Sequence, residues 1–230
     1  PGDEVILPSF TMISTILPII YTQATPVLVD VEDNGNIDPN LIEGKITAKT
    51  RAIMVVHFNG HPADMSPIME LAKKYHIAIV EDAAEAHGAE YVIPESYWKK
   101  VGSIGDLGCF SFYANKIVTT GEGGMVVTSN KKLAERTRSL SNLARNPKKH
   151  FHHQEIAFNY RMSSLQAALG LAQLHEVESV IKKKRQVAKL YNQLLGDIPF
   201  IDLPTEKPYA KCVYWQYGIK LKESSSLDRD

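Results

Sequence analysis

Two short runs, Ile53-Met54-Val55-Val56 and Ile77-Ala78-Ile79-Val80, are apolar at every position and not at alternate ones. A strand with one face in water alternates, so these runs read as parallel strands covered by helices on both faces. The intervening sequence supplies such helices. Strand-like segments at 26–30, 52–56 and 77–81 are separated by helical patterns over 39–46 and 67–75, with a further strand at 5–7. Asp38 precedes Pro39 and Ser66 precedes Pro67, which puts a capping side chain ahead of a proline at the first helical position. The order strand, helix, strand, repeated, defines an α/β fold.

Beyond Asp82 the pattern shortens to strands at 109–113 and 125–128, followed by a helix over 131–143. A second helix opens at Ser163, where Ser163 and Gln166 have capping-box spacing, and runs to 195 before Gly196 stops it. Leu165, Leu169, Ala172, Val177, Val180, Val187, Leu190 and Leu194 fall on one helical face, with Lys182, Lys183 and Lys184 on the solvated side. A strand is expected over 213–221. The chain opens in a turn leading directly into a strand and closes on a polar stretch, so a fragment of a longer chain is expected.

Composition narrows the partners. The 26 basic residues balance the 26 acidic ones and no basic stripe interleaves with aromatics, which argues against nucleic acid or an anionic membrane and for a small ligand. Cys109 and Cys212 lie far apart without a C-x-x-C partner, so neither a disulfide framework nor a metal site is expected, and a reducing, cytoplasmic setting fits. The apolar stretch at 12–21 is too short to span a bilayer and contains Pro18. The first residues do not resemble a signal peptide.

In a sheet wound on both faces, ligands sit beyond the carboxyl ends of the strands, and Asp82 follows the strand at 77–81. A carboxylate there can hold a cationic ring nitrogen, as enzymes using pyridoxal phosphate (PLP) require. It equally serves as a turn or helix cap. The segment Phe110-Ser111-Phe112-Tyr113-Ala114-Asn115-Lys116 is followed by Thr119-Thr120-Gly121-Glu122-Gly123-Gly124. Lys116 thus leaves an apolar strand beside glycines whose backbone admits a bulky ligand. A desolvated lysine has the lowered pKa that a Schiff-base amine and a proton shuttle need, although a surface lysine is the commoner role.

The runs Glu81-Asp82-Ala83-Ala84-Glu85-Ala86-His87-Gly88, Phe110 to Gly124 and Asn159-Tyr160-Arg161-Met162-Ser163 resemble the signatures of the DegT/DnrJ/EryC1/StrS sugar-aminotransferase family. Pro1 to Val5 and the Val56-His57, Gly60, Pro62, Asp64-Met65 pattern agree, in the family's order. The resemblance implies PLP as cofactor and the PLP-dependent transferase fold type I, the aspartate-aminotransferase-like α/β/α sandwich with a mostly parallel sheet. It makes Lys116 the catalytic, Schiff-base lysine and Asp82 the partner of the pyridine nitrogen. Glu85 then lies against the cofactor ring or its hydroxyl, Ser111 binds the phosphate, and Asn159 serves the neighbouring subunit's cofactor, which implies a homodimer. Residues 1–200 are expected to form the large PLP domain and 201–230 to begin a smaller one, both truncated.

Two positions depart from the family's pattern. Met12 stands where the family presents an aromatic side chain to stack on the pyridine ring; a sulfur–aromatic contact is still favourable by roughly 0.3–1.5 kcal/mol. The stretch 92–100 is longer than the family's hairpin. The family's upstream Gly-Thr phosphate-binding turn and much of its small domain lie outside the sequence, so turnover is not expected of this stretch by itself. The implied reaction passes an amino group, from L-glutamate by family habit, to a nucleotide-linked sugar ketone. Glu85, Asn115-Lys116 with Thr119 to Glu122, and Val213-Tyr214-Trp215-Gln216-Tyr217 look like the perosamine-synthase branch, which aminates C4 of a 4-keto-6-deoxyhexose for surface polysaccharide. A related dehydratase carries histidine at the lysine position, and a regulatory PLP-fold protein is a third reading. A dinucleotide-binding domain is disfavoured because no G-x-G-x-x-G follows a first strand.

Overall fold

The computed structural model describes residues 1–93, 97–146, 148–149 and 151–222. The chain runs β1 (Glu4–Pro8), α1 (Ile13–Tyr21), β2 (Thr25–Val29), α2 (Pro39–Ile42), β3 (Thr50–Val56), α3 (Met65–Tyr75), β4 (Ala78–Asp82), β5 (Glu90–Val92), β6 (Trp98–Lys100), β7 (Leu107–Ser111), β8 (Gly124–Val127), α4 (Lys131–Leu140), α5 (Ser164–Leu195), β9 (Ile201–Asp202), β10 (Ala210–Lys211) and β11 (Lys220–Leu221). Six strands form the main sheet in the order β2-β1-β3-β4-β7-β8, all parallel except β8, which runs antiparallel to β7. The order reverses between β1 and β3, and such a reversal opens a crevice at the carboxyl edge of the sheet.

The apolar runs lie where their pattern requires. Ile6, Ile53, Val55 and Ile79 of the sheet form one buried cluster with Ile42 of α2 and Met65, Ile68 and Ala72 of α3. Each such aliphatic side chain contributes about 1.5–3 kcal/mol on burial, which holds the helices against the strands. Asp38 caps α2 by accepting from the Asn40 N–H at 2.9 Å, and the predicted helix over 39–46 finishes as a 3₁₀ turn at Glu43–Lys45. The Ser163–Gln166 capping box opens α5, and the helix ends at Gly196.

Several expectations are corrected. The N-cap of α3 is Asp64, with Ser66 already inside the helix. The cause is Tyr91, whose hydroxyl donates to Asp64 Oδ1 at 2.7 Å and accepts from the Ser66 N–H at 3.0 Å, so a side chain from β5 satisfies the helix start. The stretch at 12–21 forms α1 with Pro18 inside it, at the loss of one backbone hydrogen bond. Helix α4 stops at Leu140, because the following residues turn to bond 158–160, with the Leu143 N–H on the Phe158 carbonyl at 2.9 Å. On α5 the apolar face read from sequence is largely uncovered: Leu165, Leu169, Leu190 and Leu194 are exposed, while Ile181 and Ala188 are buried. At its start α5 docks through polar groups, Gln166 Nε2 donating to the Glu122 carbonyl at 3.0 Å and Gln173 Oε1 accepting from the Thr119 N–H at 2.9 Å.

No strand spans 213–221. Val213 and Trp215 donate their N–H groups to the carbonyls of Gly60 and Asn59, each at 3.0 Å, so this segment pairs with a turn and not with the sheet. Only Lys220–Leu221 form a strand, on β9. The stretch 92–100 is the β5–β6 hairpin, joined by β10 into a small three-stranded sheet; residues 94–96 lie outside the described residues.

Candidate active site

The carboxyl ends of β1, β3, β4 and β7 converge on one edge, and each delivers one part of the site. Asp82 is the last residue of β4, registered beside Val56 of β3 and Cys109 of β7. Its Oδ2 accepts from the hydroxyl of Thr15, a buried residue of α1, at 3.0 Å, and its Oδ1 accepts from the Ala84 N–H at 3.1 Å. Two donors on the carboxylate fix its direction.

Glu85 follows one turn later. Its Oε2 accepts from the Asn59 N–H at 2.8 Å, and its Oε1 lies 3.9 Å from Lys116 Nζ. Burial pushes the Glu85 carboxyl above its ordinary range, against the pull of the Asn59 N–H and of Lys116. Burial also pushes the Lys116 ammonium down, opposed by the charges of Glu85 and Asp82. Both members of the pair are thus drawn toward neutrality, the condition for a lysine that must act as nucleophile and base. Lys116 sits in a loop beyond β7 that is closed by the Thr120 N–H on the Phe112 carbonyl at 2.9 Å.

Ser111, the last residue of β7, accepts from the Tyr113 N–H at 3.3 Å, which leaves its own proton unused among the described residues. Met12 is exposed at the N-cap of α1, and Asn159 is exposed and bridged to Asn142. Asp82, Glu85 and Lys116 are therefore brought together with Ser111 on the same sheet edge. Met12 and Asn159 make no hydrogen bond or ion pair with them among the described residues.

Five further residues shape the site, and of these Thr15 and Lys184 lie outside the runs that carry the family resemblance. Thr15 orients Asp82. Glu81, fully buried, accepts from the N–H groups of Gly102, Ile104 and Gly105 and from His57 Nε2, and so ties the loop before β7 to β3 and β4. Trp215 lies with its ring centroid 3.6 Å from Lys116 Nζ. Lys184, read as part of a solvated run, instead donates to the Trp215 carbonyl at 3.0 Å. His87 is buried between Phe110 and Phe112, ring centroids 5.4 and 5.7 Å away. Neither of its ring nitrogens has a hydrogen-bond partner among the described residues. Burial, assisted by the nearby Lys116 charge, pushes it down to about 4.

A sheet edge presenting a desolvated lysine opposite an oriented carboxylate is the arrangement of a lysine-dependent transferase. The chain belongs to the DegT/DnrJ/EryC1/StrS aminotransferase family, whose pattern it matches over residues 1–230. It is 42% identical over 232 residues to GDP-perosamine synthase of Caulobacter vibrioides, covering 100% of this chain and 61% of that protein. It is 41% identical over 219 residues to GDP-perosamine synthase of Escherichia coli O157:H7, covering 95% and 58%. The solved structure of S. venezuelae DesV superposes with a TM-score of 0.90 at 37% identity, over 97% of this chain and 59% of that one. The fold is accordingly the α/β fold type I of these enzymes. The chain spans about 60% of the length of the curated relatives it matches.

Proposed function

We propose that the whole protein is a PLP-dependent aminotransferase that passes an amino group from an amino acid, L-glutamate, to a nucleotide-linked 4-keto-6-deoxyhexose. The observation that carries this reading is the Lys116 amine, desolvated beyond β7 and 3.9 Å from Glu85, on the edge where β4 ends in Asp82. The donor set fits PLP: an amine drawn toward neutrality, a carboxylate oriented by Thr15 and the Ala84 N–H, and a Ser111 hydroxyl with a proton unused among the described residues. When bound, PLP supplies the electron sink for the carbon that loses its proton.

The chain's own residues do the rest. Lys116 would hold the cofactor through its amine and would serve as the base that takes the proton from the amino donor's α-carbon and as the acid that gives one to the sugar carbon. Asp82 would hold the proton on the ring nitrogen, its carboxylate fixed in direction by the Thr15 hydroxyl. Ser111 donates to the phosphate. Glu85, with its carboxyl raised by burial, sits by the amine as a hydrogen-bonding neighbour whose charge follows that of Lys116. Trp215 and Glu85 cover the amine and exclude water from it.

The substrate class rests on the similarity to GDP-perosamine synthases, which supports a GDP-linked sugar, and the proposed destination of the product is surface polysaccharide. Asn159, exposed on this chain, would serve the cofactor of a second subunit in a homodimer, with Met12 at the ring-facing position of α1. Residues 201–230 would open the smaller domain, and the protein would work in the cytoplasm. The test is incubation of the full-length protein with PLP, L-glutamate and GDP-, dTDP- or UDP-linked 4-keto-6-deoxyhexose. The expected result is 2-oxoglutarate and a 4-amino sugar, fastest from the GDP sugar; no amino sugar from any of the three would refute the assignment.

A further inference from the structure

Trp215 reaches Lys116 from a segment 99 positions further along the chain and is fixed at three points. Its indole N–H donates to the Asn115 carbonyl at 2.8 Å, its backbone N–H to the Asn59 carbonyl at 3.0 Å, and its own carbonyl accepts from Lys184 Nζ at 3.0 Å. The tethers come from three different places: the Lys116 loop itself, the turn after β3, and α5. The approach to that turn is close. A Cβ at Gly60, where φ is +84°, would lie 2.5 Å from Val213 Cγ2 and 3.3 Å from the Trp215 nitrogen. The tethers fix the ring so that its centroid lies 3.6 Å from Lys116 Nζ, and indole is the side chain whose face attracts a cation most strongly.

The charged and titratable groups near the amine are Glu85 at 3.9 Å, Asp82 and His87. The two carboxylates favour the ammonium through charge, and burial opposes it. The indole adds a neutral face that also favours the ammonium, and unlike a carboxylate it does so without taking a proton.

We propose that Trp215 is a positioning residue for Lys116, its indole face seating the amine and stabilising it whenever it carries a proton. This rests on the reading of Lys116 as the cofactor-holding, proton-carrying lysine. The ring sets where the amine rests between proton transfers, and how tightly the proton is held there.

The ring–amine contact is tested without cofactor. PLP-stripped protein is reductively methylated with formaldehyde and cyanoborohydride across a pH series, and the rate at Lys116 is read by peptide mass spectrometry. A face that stabilises the ammonium raises its pKa, so Trp215→Leu should move the Lys116 midpoint to lower pH by about 0.4–1.5 units. Since Trp215→Leu also removes packing, a second series keeps the shape. In a background with Trp98→Phe and any tryptophan beyond these 230 residues likewise replaced by Phe, fluorinated tryptophans at Trp215 weaken the ring face without changing the side chain's outline. The Lys116 midpoint should fall stepwise with fluorination while the urea midpoint stays constant, and Lys74, whose aromatic neighbour is Tyr75 at 5.0 Å, should not move. A merely structural tryptophan would shift stability and leave the titration in place. Fluorinated proteins that titrate at Lys116 within about 0.2 units of the parent would overturn the proposal. Failure of PLP to react at Lys116 in the parent would instead count against the aminotransferase reading, and the cofactor-free titration still reads the ring.

Discussion

Removing the carboxylate of Glu81 is predicted to be among the most damaging single changes, although Glu81 touches neither Lys116 nor Asp82's partners. Its side chain is fully buried and accepts four hydrogen bonds, at 2.7 Å from Gly102 N–H, 2.6 Å from Ile104 N–H, 2.6 Å from Gly105 N–H and 3.0 Å from His57 Nε2. The Ala63 N–H donates to His57 Nδ1 at 3.1 Å, so the imidazole proton is on Nε2 and the ring is the neutral donor tautomer. Glu81→Ala leaves four donors, two buried and two half-buried, without an acceptor, each costing about 1–3 kcal/mol if nothing replaces it. Water entering the vacated space and the recovered desolvation of the carboxylate offset part of this, leaving a net loss of about 3–5 kcal/mol. That is a large share of the roughly 5–15 kcal/mol that holds a typical domain folded. Glu81→Gln keeps the shape but turns an amide NH₂ toward two of the donors, for a loss on the order of 2 kcal/mol.

The pH dependence carries the sign. Burial pushes the Glu81 carboxyl up, but the hydrogen bonds from His57 and from the N–H groups of Gly105 and Gly102 outweigh it, and the net shift is downward. A depressed folded-state pKa means that stability is fully present above the unfolded value near 4.3 and is lost as pH falls through the folded value. Urea unfolding followed by circular dichroism should show the parent–Gln gap constant from about pH 5 to 7 and shrinking below about pH 4. A Glu81→Ala loss under about 1 kcal/mol, or a gap that widens in acid, would refute the reasoning.

Four further outcomes follow from the same geometry. Thr15→Val removes the hydroxyl bonded to Asp82 Oδ2 and should weaken PLP binding about five-fold, a loss near 1 kcal/mol, measured by fluorescence titration. Gly60→Ala forces a Cβ to 2.5 Å from Val213 at a positive φ and should cost about 1–3 kcal/mol in urea unfolding. His87, held near 4 in the fold against an ordinary value of 6.5, binds fewer protons folded than unfolded, so stability falls as pH drops from 6.5 toward 4. His87→Leu should remove that slope, by up to about 3 kcal/mol at pH 4, in unfolding curves compared at pH 7 and pH 4.5. Lys116→Ala should abolish amino transfer in the full-length protein while leaving the urea midpoint within about 1 kcal/mol of the parent, checked by coupled 2-oxoglutarate assay.

The main sheet was legible because the runs at 53–56 in β3 and 77–80 leading through β4 are apolar at every position, and because prolines behind Asp38 and Ser66 mark the helix starts. The cap moved from Ser66 to Asp64 because Tyr91, a residue 25 positions on from Ser66, provides the hydroxyl. Asp82, Glu85 and Lys116 stood out through motif order, and the fold does gather them. Thr15 did not, since it matters through one contact with a residue 67 positions away, and Trp215 stood out only as part of the 213–217 run, because local pattern does not encode its contact with a lysine 99 positions earlier. Glu81 reads as an ordinary acidic residue beside Asp82, and only the converging N–H groups of 102–105 show its role. The sheet of β5, β6 and β10 is built from strands of three, three and two residues, too short for a period to register. The apolar stripe of α5 was found correctly as a pattern, but over Leu165, Leu169, Leu190 and Leu194 it has no partner within the described residues.

The central claim is that Lys116 is the amine that holds PLP. Its most direct test is to mix the full-length protein with PLP, record the absorbance before and after borohydride, and map the reduced product by peptide mass spectrometry. The account predicts a near-ultraviolet to visible band that L-glutamate bleaches, and a reduced pyridoxyl group on Lys116. No band, or a label on a different lysine, would contradict it.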